Sequence, residues 1–131
     1  MIAYVINEDV TEKEIRTITS ALEGKEISVK PWPDGDAELP DAVDVAILII
    51  RNDNTELEEN RAIALTAAAI RIVCVFVTEV SSPGHLSQKY CSAKVAVEHG
   101  ALWGALAGDD NAQEKFDGSP ADRNPQKPHN C

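Results

Sequence analysis

The stretch DVAILIIRNDNTELEEN, residues 44–60, decides the fold. Its apolar run, residues 45–50, contains four β-branched side chains and is too short for a buried helix, so it reads as a strand covered on both faces. The polar tetrad Arg51, Asn52, Asp53, Asn54 follows at once. Thr55 and Glu58 then form a T-x-x-E capping box, which predicts a helix starting near Asn54 or Thr55. That helix continues through NRAIALTAAA, whose alanines favour helix and let it lie close to a sheet.

The same pattern recurs on both sides. IAYVI, residues 2–6, reads as a buried strand ending in the polar NEDV; Thr11 and Glu14 make a second capping box, and Ile15, Ile18 and Leu22 repeat at helical spacing until Gly24. EISVK, residues 26–30, alternates apolar and polar side chains and suits an edge strand, whereas PWPDGDAELPD, residues 31–41, with three prolines and a DG pair, reads as a loop. RIVCVFV, residues 71–77, is the next buried strand. Beyond it Ser82 and Pro83 suit an N-cap and first helical residue, and Leu86, Tyr90, Ala93, Val97 and Ala101 share a helical face, which predicts one helix to about Leu106. A competing reading takes KVAV, residues 94–97, as a fifth strand.

Buried Val and Ile runs separated by helices predict an α/β fold: a parallel, flavodoxin-like sheet in the order 2-1-3-4, with any fifth strand at the far edge and helices on both faces. The 131 residues, 44% hydrophobic, suit one domain over residues 1–107; from Gly108 the chain is polar, with Phe116 its sole large apolar side chain, and reads as a tail.

The net charge of −10 is uneven: residues 1–60 hold 15 acidic against 5 basic side chains, and the rest hold 7 of each. This argues against nucleic-acid binding and leaves an acidic face that either keeps the chain soluble or meets a basic protein partner, as an immunity protein or inhibitor would. No apolar run approaches membrane-spanning length and no basic flank precedes the N-terminal one, so the expected location is cytoplasmic. Cys74, Cys91 and Cys131 stand in unrelated contexts, which predicts two packed thiols and a free terminal one; His129 and Cys131 offer metal ligands without a third. His85 and His99 lack a partner suited to a catalytic triad.

In such sheets ligands bind beyond the strand carboxyl ends, where strand order reverses. That point gathers Asn7, Glu8 and Asp9 with Arg51, Asn52, Asp53 and Asn54, and the rim continues through Thr78, Glu79, Ser81 and Ser82. Glu8, Asp9 and Asp53 are oxygen ligands suited to Mg²⁺. Trp32 between two prolines either stacks on a base or seals the sheet edge.

The acidic pair after the first strand, Asp53 after the third and Thr78 after the fourth resemble a receiver domain of two-component signalling. Here, however, Ile49 or Ile50 closes the third strand where receivers have the phosphorylated aspartate. Residues 2–77, with DVAILI as third strand, a polar loop, an acidic helix start and RIVCVFV, resemble TIR-like domains and nucleoside deoxyribosyltransferases. That resemblance implies a binding or signalling module with nucleotide recognition, or an N-glycosidase acting on NAD or nucleosides. It implies Glu59 or Glu58 as the carboxylate facing an oxocarbenium-like centre, Asn52 and Asp53 on ribose, and Trp32 on the base. At the families' own spacing the carboxylate position falls on Asn60 or Ile63, and Glu58 and Glu59 stand about one turn earlier. Three glutamates in a first turn also offset the helix dipole without any active site, and they oppose a phosphate there.

Overall fold

A computed structural model of the chain describes residues 1–33, 38–40, 42–78, 80, 82–97 and 102–108. The expected tail from residue 109, together with Glu79, Ser81, His99, His129 and Cys131, lies outside the described residues. The elements are β1 (Ile2–Val5), α1 (Glu12–Ala21), β2 (Ser28–Pro31), β3 (Val45–Ile49), α2 (Glu56–Ala67), β4 (Ile72–Phe76), α3 (His85–Lys89), β5 (Ala93–Ala96) and α4 (Leu102–Ala107).

The strands form one all-parallel sheet in the order β2-β1-β3-β4-β5. This is the flavodoxin-like arrangement expected from the sequence, with the fifth strand present. Alternation along the strands gives two cores. Val5, Ile47, Val75 and Val95 point to one face, where Ile18 and Leu22 near the end of α1 and Leu102 and Leu106 of α4 cover them. Ile6, Leu48, Ile72 and Cys74 point to the other, under Leu65 of α2 and Leu86 of α3. Both sides of β3 and β4 are buried, which is why their sequences are unbroken apolar runs.

Both capping boxes form. Thr11 Oγ1 accepts from Glu14 N–H while Glu14 accepts from Thr11 N–H, and Thr55 and Glu58 do the same for α2. Gly24, at φ +83°, lets the chain turn away after α1. Arg71 donates to Ala105 O at 2.6 Å and to Leu106 O at 3.4 Å, tying the end of α4 to the start of β4.

Two expectations are corrected on the C-terminal side. The single helix to Leu106 is instead a short helix, a strand and a second helix. Ala93 and Val95 enter one core while Lys94 and Ala96 face the opposite side, a period of two, because the buried edge of β4 needs backbone partners that only a strand provides. The N-cap is Gly84 rather than Ser82, so Pro83 precedes the helix.

The third correction concerns the thiols. Cys74 of β4 and Cys91, just before β5, are joined in a disulfide with Cα atoms 5.7 Å apart. Replacing the long helix by β5 is what brings Cys91 beside β4. Closing a loop of this length stabilises a fold by about 3 kcal/mol.

At the end of β1 the Asn7 side chain takes over the ladder: its Nδ2 donates to Ile49 O at 2.8 Å and its Oδ1 accepts from Ile49 N–H at 2.7 Å. Asn7 is buried, so Asn7→Leu strands both backbone groups of Ile49 and is expected to lower stability by about 2 kcal/mol or more. Urea unfolding followed by circular dichroism measures this; an unchanged midpoint would remove the strand-extending role.

Candidate functional site

The carboxyl ends of β1 and β3 are where the chain leaves toward α1 on one face and α2 on the other. Several residues expected to bind ligand instead hold these two exits together. Arg51, directly after β3, donates from Nη1 to Glu8 O at 3.0 Å and from Nη2 to both oxygens of Glu14 at 3.0 and 3.1 Å. This charge-assisted contact, one guanidinium nitrogen shared by both carboxylate oxygens, pins the start of α1 to the end of β3.

Glu58 is 2% exposed. Its Oε2 accepts from Glu8 N–H at 2.7 Å, and its Oε1 accepts from Thr55 N–H at 3.1 Å and Asn54 Nδ2 at 3.4 Å. Both oxygens are thus engaged in joining the loop after β1 to the start of α2. Glu59 projects elsewhere and meets His85 Nε2 at 3.0 Å, a partially exposed pair that bridges α2 and α3.

Arg61 of α2 is the largest fully buried side chain among the described residues. It donates to Ile6 O at 2.9 Å and Pro33 O at 3.2 Å, and its guanidinium lies 5.5 Å from the centre of the Trp32 ring. Trp32 is 3% exposed and meets Tyr4 edge to face. Of the two sequence readings, burial is therefore the one found, and the cation over its face is Arg61. Among the described residues its indole Nε1 has no hydrogen-bond acceptor, an omission worth roughly 1–3 kcal/mol to a buried donor.

Beside this junction a polar cleft of about 440 Å³ opens over the carboxyl ends of β1 and β2, lined by Asn7, Glu8, Asp9, Val10, Pro31, Trp32 and Arg61. Asp9 is exposed and sits at φ +53°, a conformation that aspartate and asparagine tolerate better than most side chains. Asn7, Asp9 and Trp32 thus meet in one cavity. Asn52, Asp53 and Thr78 are exposed and line neither this cleft nor one another's surroundings in it. The Mg²⁺ trio does not assemble: among the described residues no three His, Cys, Asp or Glu side chains converge. Glu8 and Asp9 line the cleft, whereas Asp53, in the loop after β3, does not.

On the other flank, Asn54 organises the start of α3. Its Oδ1 accepts from Leu86 N–H at 3.2 Å, and Gly84 N–H donates to Arg51 O at 2.7 Å. Sequence reasoning missed Gly84, Glu14, Arg61 and the cysteine pair as residues that shape this region. The sequence predicts the helix start at Ser82 and Pro83, whereas the N-cap is Gly84, whose neighbour Leu86 is held by Asn54. Lys94 of β5 is half-buried, and this desolvation pulls its ammonium below the ordinary lysine value.

A Cβ at position 84 would overlap Asn54 Oδ1 and crowd the Asp53 carbonyl carbon at 3.3 Å. Gly84→Ala is expected to lower stability by about 1–3 kcal/mol, and by clearly less in an Asn54→Ala background. Equal penalties in the two backgrounds of a double-mutant cycle would show that the contact with Asn54 is not the cause. Set beside protein-family models, curated proteins and solved structures, the chain matches none of them.

Proposed function

We propose that the chain is a small TIR-like binding or signalling module that receives a nucleoside-type ligand in the cleft above β1 and β2. The observation that carries this reading is the cleft itself, in which Glu8 and Asp9 stand beside the buried Trp32 indole. Paired carboxylates accept hydrogen bonds from a ribose diol, the role an acidic residue plays in dinucleotide-binding folds of similar layout.

Charge narrows the ligand. The guanidinium lining the cleft is already committed to Ile6 O, Pro33 O and the Trp32 ring, so a phosphate entering here meets two carboxylates. A neutral or cationic nucleoside, such as adenosine or nicotinamide riboside, suits the cleft better than a polyphosphate. Binding is preferred to N-glycosidic cleavage because Glu58 has both oxygens engaged by the α2 cap and Glu8 N–H, and Glu59, turned to His85, does not line the cleft.

Calorimetric titration with adenosine, nicotinamide riboside, NAD and ATP tests this. The nucleosides are expected to bind more tightly than ATP. Asp9→Asn, which keeps the left-handed backbone tolerance, is expected to weaken binding by about fivefold for a lost hydrogen bond of roughly 1 kcal/mol. No heat of binding from any of the four ligands overturns the reading, and release of free nicotinamide from NAD would establish cleavage in its place.

A further inference from the structure

We propose that the Cys74–Cys91 disulfide is a reversible latch that couples the thiol redox state to the order of α3 and, through it, of the loop after β3. The bond lies entirely within one crossover. Cys74 is on central β4, Cys91 follows the C-cap of α3 at a sequence separation of 17, and the residues between them comprise the end of β4, the connecting loop and α3 itself. Breaking it therefore releases a local segment, while the hydrogen-bonded ladders β1-β3 and β3-β4 remain closed.

The segment so released is weakly held in other respects. α3 is five residues long, and Gly84 provides no side-chain cap. Among the described residues its other anchors include Leu86 and Tyr90 in the same core cluster as the two cysteines, Gly84 N–H on Arg51 O, Leu86 N–H on Asn54 Oδ1 and the exposed His85–Glu59 contact. The last three all end on residues 51–59, so loosening α3 withdraws support from the loop that follows β3 and from the first turn of α2.

Both cysteines are buried, at 0% and 2% exposure, so exchange requires α3 to lift and carry Cys91 outward while Cys74 stays in the sheet. A small thiolate attacks the Cys91 sulfur, forming a mixed disulfide there and releasing Cys74 as thiolate. A second thiolate then displaces Cys91, giving the small-molecule disulfide and two protein thiols, with two electrons gained and two protons taken up. The reverse reaction uses a small-molecule disulfide such as oxidised glutathione. Lys94 lies in register with Cys74 across the β4-β5 pair.

Hydrogen exchange read by mass spectrometry, in a Cys131→Ser chain, tests the latch. After treatment with oxidised glutathione, peptide mapping is expected to show the Cys74–Cys91 bond. Reduction with dithiothreitol is expected to raise exchange across residues 84–92 by about tenfold and to change residues 45–49 by less than about twofold. Renewed oxidation should restore the first pattern, and Cys91→Ser should show the reduced pattern under both conditions. The proposal is overturned if exchange in residues 84–92 ignores reduction, if residues 45–49 open to the same extent, or if the bond fails to re-form.

Discussion

Where β1 and β3 end side by side, one chain turns to the upper face of the sheet and the other to the lower, and the backbone groups between them lose their regular partners. Closing that gap is the constraint around which the rest of the structure is arranged. Asn7 supplies the two hydrogen bonds to Ile49 that a continuing parallel ladder would have drawn from Ile6 O and Glu8 N–H. Arg51 satisfies Glu8 O, Glu58 satisfies Glu8 N–H, and Arg61 satisfies Ile6 O. Four side chains therefore do at this junction what water or a ligand does in an open crevice.

This occupation explains why the open space lies to one side. With the β1-β3 gap filled, the polar cleft falls over β1 and β2, where Trp32 follows β2 and the Arg61 guanidinium lies over its ring from α2. Among the described residues the acidic ones lining this cleft are Glu8 and Asp9, while in the α2 first turn Glu58 is turned inward as a cap and Glu59 outward to His85. The glutamates that most resemble catalytic groups in the sequence are thus the ones whose chemistry is most constrained by helix formation.

The fold was legible in the sequence because its strongest signals are local. Apolar runs such as residues 45–50 report burial on both faces, and the Thr11-Glu14 and Thr55-Glu58 boxes mark helix starts within a single turn. What failed to read was non-local. Ala93 and Val97 fit a helical face with Leu86 and Tyr90, while Ala93, Val95 and Val97 fit the alternation of a strand, and only the need to pair the edge of β4 decides between them. The disulfide was hidden by the same ambiguity, because Cys91 in a long helix has no route to Cys74. At the site, residue types pointed to the carboxyl ends of the strands, but which polar side chains are engaged by the backbone depends on contacts such as Arg51 with Glu14 and Arg61 with Pro33, separated by 37 and 28 residues.

The edge strand β2 has a consequence for how copies of this chain meet. Ser28 N–H donates to Met1 O and Trp32 N–H to Val5 O, so the period of two turns the backbone nitrogens of Val29 and Pro31 away from the sheet. Pro31 has no N–H to give, and Ile27 N–H is spent locally on Lys25 O. A second strand approaching this border finds a single donor, at Val29, and Lys30 among its neighbours. The border is therefore a poor template for edge-to-edge association, and the sheet is protected on that side against growing into the next molecule.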